Sequence, residues 1–252
     1  MVATQHPEIA ALEILGVKVH RVSMDETVAR VEAFLGEKDF HLVVTLGTEM
    51  IMRAQQDADY RDLVNRAELV VPDSFGVVWA SRRTAYPLAE RVPGVDLIPR
   101  LTRLPCGRRP RLFLLGGAPG VAEEAARALS DLYGADVAGT LHGYFREDEP
   151  VVQAINSSGA EILLAAMGFP RQEVWMARNR HRLNLRVGIG VGGSLDVLSG
   201  RVERAPTLFC RLGLEWLYRL LRQPSRFTRM LAIPRFMLQV WRSGPSGARP
   251  LP

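Results

Sequence analysis

The sequence predicts an α/β fold, Rossmann-like, with a mainly parallel sheet flanked by helices and a helical C-terminal segment. Three observations carry this prediction. Short runs rich in β-branched and aliphatic residues alternate with helical patterns, as in successive βα units. Several of these runs lack polar alternation, which is typical of strands covered on both faces. After Gly200 the strand-like runs stop and arginine-rich helical patterns take their place.

Apolar runs in the body of the chain predict the strands. They are His41–Leu46, Glu68–Val71, Arg111–Gly116, Ala135–Thr140, Glu161–Gly168 and Arg186–Gly192. Helical patterns lie between them, most clearly after Gly120, where apolar residues recur at three and four positions before a closing glycine. We therefore expect residues 1–200 to form one catalytic α/β domain.

The segment 201–243 has a different character from the body. It mixes arginine with Trp, Phe, Leu and Met at helical spacing, and Pro224 and Pro234 interrupt it. We interpret it as two or three short amphipathic helices appended to the catalytic domain. Residues 244–252 are rich in Gly, Pro and Ser, which predicts a flexible tail.

Charge is distributed unevenly along the chain. Residues 201–252 contain ten arginines and two glutamates, a balance of 10 − 2 = +8, so with a net charge of +5 the first 200 residues carry 5 − 8 = −3. A basic segment on a slightly acidic body indicates an anionic partner at that end. Phosphate groups, nucleic acid and an acidic membrane surface all fit this description.

Several classes of protein are disfavoured. No apolar run approaches the roughly 18 residues of a membrane span and no signal-peptide pattern is present, so we expect a cytoplasmic protein. Cys106, Cys210 and the five histidines show no metal-ligand spacing. Asp57 and Asp59 spell the D-x-D of many metal-dependent transferases, but they lie in a polar, helix-like stretch rather than after a strand. We therefore expect a metal-independent protein.

Residues just past each predicted strand are the candidates for a functional site, because ligands of open parallel sheets bind outside the carboxyl ends of the strands. These candidates are Thr45, Asp73, Gly116, Gly117, Gly168, Gly192 and Gly193. Two roles fit Asp73. It can cap the N-terminus of the following helix, and it can act as a general base that takes a proton from an attacking hydroxyl.

The glycine runs after two of the strands suit a close approach of the backbone to phosphates, and tight strand-to-helix turns are the alternative. Neither run spells a dinucleotide fingerprint or a P-loop, which disfavours a nicotinamide enzyme. Gln172 and Glu173 open a helix after a buried strand. Helix-start chemistry explains Glu173, whereas Gln172 can hydrogen-bond a base or a sugar.

Arginines of the C-terminal segment recur at helical spacing. Arg219, Arg222, Arg226 and Arg229 lie three, four and three residues apart, although Pro224 divides them between two helices. A solvated face that covers an apolar stripe is one interpretation. The other is a clamp for a diphosphate beside an anionic membrane, with neighbouring aromatic residues as interfacial anchors.

Seven segments together resemble the WecG/TagA/CpsF glycosyltransferases, also called glycosyltransferase family 26. The resemblance runs from about Val19 to about Trp241, and the segments keep the family's order. They are AELVVPDSFGVVWA, RVPGVDL, LFLLGGAPGVAEEAA, HGYF, GFPRQEVW, IGVGGSLDVLSGRVERAP and LGLEWLYRLLRQPSR. Each segment is weak alone, and it is their number, order and spacing that make the resemblance specific.

The resemblance implies an inverting enzyme that moves an N-acetylmannosamine-type sugar from a UDP donor to a polyprenyl-diphosphate-linked sugar, for teichoic acid or another cell-surface polysaccharide. It implies two catalytic residues, the family's base at Asp73 and its pocket threonine at Thr45. With the glycine turns, the predicted donor site comprises Gly47, Gly116, Gly117, Gln172, Gly192, Gly193 and Asp196. The arginines that the family uses to contact the lipid-linked diphosphate fall on Arg219, Arg226 and Arg229.

Two positions depart from the family pattern. Gly47 stands where asparagine is common, and Ser74 stands where glycine is common. The missing amide leaves the donor open, with glucose or a uronic acid as alternatives, and an oxidoreductase or a non-catalytic basic membrane adaptor are the other classes. We expect a UDP-sugar, a lipid-linked acceptor and the inner face of the cytoplasmic membrane as partners, with no nucleic acid and no cofactor. A homo-oligomer is compatible with the sequence.

Overall fold

A parallel sheet of six strands forms the centre of the protein. The computed structural model describes residues 9–84, 87–211, 214–222 and 231–251. The strand order is β4-β3-β8-β7-β5-β6, and neighbouring strands pair in parallel. The strands are β3 (His41–Leu46), β4 (Leu69–Pro72), β5 (Arg111–Gly116), β6 (Asp136–Leu141), β7 (Ile162–Ala166) and β8 (Val187–Gly190). All six predicted strands are confirmed, with ends that differ by no more than two residues.

Helices cover both faces of this sheet. Those of the body are α1 (Met24–Phe34), α2 (Thr48–Ala54), α3 (Ala58–Arg66), α4 (Phe75–Ser81), α5 (Gly94–Leu101), α6 (Val121–Tyr133), α7 (Glu149–Ser158), α8 (Arg171–Asn179) and α9 (Ser194–Leu198). Along β3, Leu42 and Val44 belong to one hydrophobic cluster while Val43 belongs to a second cluster on the opposite face. Burial on both faces explains why the strand sequences lack polar alternation.

A small antiparallel sheet, which the sequence analysis did not predict, lies beside the main one. Its strands are β1 (Ala11–Ile14), β2 (Val17–His20) and β9 (Ala248–Pro250), in the order β2-β1-β9. Leu15 and Gly16 connect β1 and β2 with positive φ angles of 48° and 78°, as a two-residue hairpin turn requires. The predicted flexible tail over 244–252 is corrected here, because β9 pairs with β1 and the Leu15 amide donates to the Gly247 carbonyl.

The C-terminal helices are α10 (Thr207–Arg211), α11 (Glu215–Arg222) and α12 (Ala232–Arg242). The last of these packs against α2 and α4. Phe236 and Val240 of α12 are fully buried in the same cluster as the apolar residues of the body. The segment 201–243, predicted as helices appended to the catalytic domain, is therefore joined to that domain at α12, which completes the core. No helix within the described ranges is both long and apolar enough to cross a membrane.

Candidate active site

A cavity of about 760 Å³ opens at the carboxyl ends of the strands. It lies where β3, β4, β5, β7 and β8 give way to the loops and helices that follow them, as expected for an open parallel sheet. Most of the predicted site residues line it. They are Thr45, Gly47, Asp73, Gly117, Gln172, Gly192, Gly193 and Asp196.

Asp73 follows β4 directly and is held at three points. Its amide donates to the Leu46 carbonyl (3.1 Å), its carbonyl accepts from Nε of Arg91 (2.9 Å), and its carboxylate Oδ1 accepts from the Gly94 amide (3.0 Å). Ser74, not Asp73, occupies the N-cap position of α4. The carboxylate instead meets the first N–H group of α5, which is one of the unpaired donors of a helix start. Asp73 is therefore fixed at the cavity wall in a defined orientation.

Thr45, near the end of β3, is buried and its hydroxyl group donates to the Gly190 carbonyl at 2.7 Å. This bond joins the ends of β3 and β8 just below the cavity. The threonine thus contributes to the cavity wall while its proton is engaged by the backbone. A hydroxyl oxygen in this state still has lone pairs that accept hydrogen bonds.

The glycine runs that follow β5 and β8 differ in how closely other atoms surround them. A Cβ atom at Gly116 would lie 2.3 Å from the Ala166 carbonyl oxygen, and one at Gly117 would lie 2.5 Å from Val121. Gly192, by contrast, has no atom of the described chain within 4 Å of such a Cβ. The first run is therefore a tight strand-to-helix turn, whose buried Gly116 packs against β7 rather than lining the cavity. Gly192 has the open space that a ligand requires.

Gln172 and Glu173, at the start of α8, point inward and are almost completely buried. The Gln172 Oε1 atom accepts from the amides of Gly168 and Gly192, both at 3.2 Å, and its Nε2 donates to Glu173 Oε1 at 2.7 Å. Glu173 lies in the first turn of α8, as the sequence interpretation expected, and in addition its buried carboxylate accepts a hydrogen bond from the Gln172 side chain. Burial raises the pKa of the Glu173 carboxyl to about 7, and the hydrogen bond from Gln172 partly opposes this effect.

Ser74 and Gly47, the two positions noted as departures from the pattern that the sequence resembles, both adjoin Thr48. The Ser74 hydroxyl accepts from the Thr48 amide (3.1 Å) and shares a hydrogen bond with the Thr48 hydroxyl (2.8 Å). Ser74 thus ties the start of α4 to the start of α2. A Cβ atom on Gly47 would meet no described atom within 4 Å, so the cavity is open at this point.

Arg91 is a cavity residue that the sequence analysis missed. Besides the Asp73 carbonyl it contacts Glu215, the first residue of α11, with 3.0 Å between Nη2 and Oε2. The arginine therefore connects the loop that carries Asp73 to the C-terminal segment. Its signal in the sequence was its place in RVPGVDL, three residues before the first residue of the helix whose N-terminus meets the Asp73 carboxylate.

The remaining predicted residues are the three arginines of the C-terminal segment and the aspartates of the D-x-D sequence. Arg219 lies in α11, and Arg226 and Arg229 lie outside the described residues, so their predicted contact with a diphosphate stays a prediction. Asp57 caps α3 by accepting from the Tyr60 amide (3.0 Å) and pairs with Arg53, as expected of a surface helix rather than a metal site. Across the described parts of the chain no group of three or more His, Cys, Asp or Glu is arranged to hold a metal ion.

A parallel sheet with a fixed carboxylate, an arginine and open glycine turns at its strand ends has the arrangement of an α/β enzyme that binds its ligand at the carboxyl ends of the strands. Sequence comparison identifies which enzyme class this is. The chain belongs to the Glycosyl transferase WecG/TagA/CpsF family, which it matches over residues 12–249. It is therefore a glycosyltransferase.

Two relatives illustrate the similarity. A protein of Bacillus spizizenii is 35% identical over 218 residues, which cover 86% of this chain and 85% of the relative. A protein of Staphylococcus aureus strain MRSA252 is 34% identical over 243 residues, which cover 95% of this chain and 96% of the relative. Both carry the name N-acetylglucosaminyldiphosphoundecaprenol N-acetyl-beta-D-mannosaminyltransferase. The similarity extends over the body and the C-terminal helices alike.

Proposed function

We propose that this glycosyltransferase moves an N-acetylmannosamine-type sugar from a UDP donor to N-acetylglucosamine carried on a polyprenyl diphosphate. The names of the relatives support the transferred sugar and the acceptor. The observation that carries the proposal is the position of Asp73, whose carboxylate is anchored by the Gly94 amide at the wall of the cavity.

Asp73 acts as the general base in this proposal. Its carboxylate takes the proton from the acceptor hydroxyl while that oxygen attacks the anomeric carbon of the donor. The new bond forms on the face opposite to the departing UDP, so a single displacement inverts the anomeric carbon. One carboxylate is sufficient for this step, because no covalent sugar–enzyme intermediate has to form.

The donor diphosphate lies near the glycine turn at Gly192 and Gly193, which lines the cavity and leaves open space at Gly192. Arg91 supplies positive charge on the Asp73 side of the same cavity. Preorganised donors and cations of this kind stabilise the negative charge that develops on UDP as it leaves. Asp196 offers carboxylate oxygens to the donor's hydroxyl groups. We propose that the reaction needs no metal ion.

The C-terminal helices hold the enzyme at the inner surface of the cytoplasmic membrane in this proposal. Large apolar side chains are exposed on them, including Leu221 (69%), Trp241 (65%) and Leu238 (46%). Arg235 and Arg242 on α12 are exposed beside them. A mixture of exposed apolar and cationic side chains suits the interface of an anionic bilayer, where the lipid-linked acceptor resides.

A transfer assay tests the base assignment and the donor together. The purified protein is incubated with a short-chain lipid-diphosphate-N-acetylglucosamine and a panel of UDP-sugars, with and without EDTA, and products are followed by mass. We expect UDP-N-acetylmannosamine to be used, and EDTA to have no effect. Asp73→Asn is expected to lose at least about a hundredfold in kcat, as removal of a general base typically does. Asp131→Asn, an exposed change of the same kind on α6, serves as the matched control.

The outcomes separate the parts of the proposal. Equal rates for wild type and a folded Asp73→Asn variant would show that Asp73 only anchors α5. Use of UDP-glucose or a UDP-uronic acid in place of UDP-N-acetylmannosamine would retain the mechanism and replace the donor. Loss of activity with EDTA would overturn metal independence.

A further inference from the structure

A buried polar network lies beneath the cavity, formed by Tyr60 of α3 with Gln172 and Glu173 of α8. We call these three residues the buried network. The Gln172 Nε2 atom donates to Glu173 Oε1 at 2.7 Å, and the Tyr60 hydroxyl makes a longer contact of 3.5 Å with Glu173 Oε2. Glu173 has 0% exposure and does not line the cavity, so it reaches the site only through its neighbours.

The amide of Gln172 is the part of this network that meets the cavity. Its oxygen accepts from the amides of Gly168 and Gly192, one in the turn after β7 and one in the turn after β8. A single side chain thus holds both turns together. The arrangement works in one orientation only, because a flipped amide would direct its NH₂ group at two N–H donors.

Glu173 stabilises that orientation from the other end of the amide. Its carboxylate oxygen accepts from the Gln172 NH₂ group, which leaves the amide oxygen facing the two glycine amides. A buried carboxylate is costly compared with an apolar side chain of similar size, so core stability alone does not explain its presence. The pKa of the Glu173 carboxyl is raised for the same reason, because burial disfavours its charged form.

The neighbouring strand leaves space for the pair. A Cβ atom at Gly190 of β8 would lie 2.6 Å from Gln172 Nε2 and 2.8 Å from Glu173 Oε1. The carbonyl of the same glycine accepts the Thr45 hydroxyl, so the network continues to a residue of the cavity wall. Glycine at this position is required by the side chains opposite it.

We infer that Glu173 is a positioning residue, which fixes the Gln172 amide and through it the turns at Gly168 and Gly192 that line the cavity. The arrangement of the two turns follows from the contacts above. Its effect on donor binding rests on the proposed function, since Gly192 belongs to the proposed diphosphate site.

Amide hydrogen exchange of the full chain without ligand tests the inference directly. Glu173→Leu removes the acceptor and keeps the bulk, so exchange at the Gly168 and Gly192 amides is expected to accelerate by about tenfold or more. Glu173→Gln retains an acceptor oxygen for Gln172, and its NH₂ group can donate to the Tyr60 hydroxyl, which donates to Glu173 in the wild type. It is expected to keep both exchange rates within about twofold of wild type.

A pair of glycine variants provides a second route should Glu173→Leu fail to fold. Gly190→Ala displaces the Gln172–Glu173 pair and is expected to accelerate exchange at the same two amides. Gly188→Ala is equally crowded on the same strand, with Phe40 at 2.6 Å and the Met176 sulfur at 2.8 Å, but it does not approach the pair. Gly188→Ala is expected to leave the exchange rates of the Gly168 and Gly192 amides unchanged relative to the rest of the sheet.

Two results would overturn the inference. One is unchanged exchange at Gly168 and Gly192 in a folded Glu173→Leu or Gly190→Ala variant. The other is an equal defect in Glu173→Gln and Glu173→Leu, which would show that the acceptor oxygen is irrelevant.

Titration with UDP then separates this inference from the proposed function. We expect the UDP Kd to rise about tenfold in Glu173→Leu and to stay near wild type in Glu173→Gln. If wild type does not bind UDP at all while the exchange pattern is as expected, the proposed donor is wrong and the positioning role stands. If wild type binds UDP and Glu173→Leu binds it equally well, the two turns do not govern donor binding.

Discussion

Gly76 and Gly47 both lie next to Thr48 at the cavity, yet the space around them differs. A Cβ atom at Gly76 would lie 2.5 Å from the Thr48 hydroxyl oxygen, whereas one at Gly47 would have no described atom within 4 Å. Gly76→Ala therefore forces apart the Ser74–Thr48 hydrogen bonds that join α2 and α4. We expect Gly76→Ala to lower the free energy of unfolding by about 1–3 kcal/mol, as overpacking does. Urea denaturation measures this change.

Gly47→Ala is the matched control for this prediction. Its φ of −97° is accessible to alanine, and the loss of glycine at an N-cap position is expected to cost no more than about 1 kcal/mol. Equal stability of the two variants would show that the Ser74–Thr48 contact adjusts to the added methyl group.

The buried carboxyl of Glu173 makes stability depend on pH. Its pKa rises from the ordinary value of 4.5 to about 7 in the folded chain. Between these values the folded state keeps a proton that the unfolded state releases, so this group's contribution to stability falls as pH rises and is flat above about 7. Glu173→Gln removes that dependence.

Urea denaturation of both proteins at about pH 5 and about pH 8 checks this prediction. From the lower to the higher pH, wild type is expected to lose about 2–3 kcal/mol relative to Glu173→Gln, since each pKa unit corresponds to about 1.4 kcal/mol. A constant difference between the two proteins would mean that Glu173 titrates at the same pH in the folded and unfolded chains.

Single residues of the site were predictable to different extents. Their positions followed from the strand ends, because a residue just past a parallel strand lies at the ligand-binding edge. The contacts that these residues make could not be predicted from the strand ends. Adjacent Gln172 and Glu173 both point inward, and the Asp73 carboxylate meets α5 rather than α4. Such contacts depend on how distant segments pack, which a local pattern does not contain.

At the scale of elements, the sequence predicted the main sheet and missed the small one. The six main strands are apolar on both faces and therefore stand out as continuous runs. β1 and β2 are short and alternate between apolar and polar residues around Leu15 and Gly16, a hairpin pattern that could have been found. β9 has three residues and is defined by pairing with β1, so its own sequence carries little signal.

The helix α12 joins the body through its buried side and leaves its other side exposed. Phe236→Ala is expected to lower the free energy of unfolding by about 3–5 kcal/mol, because the phenylalanine has 0% exposure within the core shared with α2 and α4. Trp241→Ala, with its side chain 65% exposed, is expected to change stability by no more than about 0.5 kcal/mol. Thermal or urea unfolding of both variants measures this contrast.

A small effect of Phe236→Ala would mean that the C-terminal segment contributes little to the core of the body. The expected large effect would mean that truncation after Gly200 unfolds or weakens the body, since it removes Phe236, Val240 and β9 together. Point variants are therefore a better probe of the C-terminal helices than truncation.

At the scale of the whole molecule, charge and exposed apolar area coincide at the C-terminal end. The balance of +8 over residues 201–252 against −3 over the rest makes the protein electrically polar. This asymmetry was readable from the sequence alone. The folded structure adds that α12 is anchored by its apolar side, so its exposed arginines are presented from a fixed surface.

The asymmetry predicts salt-dependent binding to anionic membranes. We expect the full chain to sediment with vesicles containing phosphatidylglycerol at about 50 mM salt and to be largely released at about 500 mM, because the Debye length falls from about 14 Å to about 4 Å. Vesicles of phosphatidylcholine alone are expected to bind weakly at either concentration.

Charge reversal locates the surface responsible for that binding. Arg235→Glu with Arg242→Glu changes two exposed residues of α12, and each basic group near an anionic surface contributes about 1 kcal/mol, so vesicle affinity is expected to fall at least about thirtyfold. Arg103→Glu with Arg127→Glu makes the same change in net charge on exposed residues of the body. An equal loss in both double variants would mean that net charge alone governs binding, whereas a loss confined to the α12 variant assigns the membrane contact to this helix.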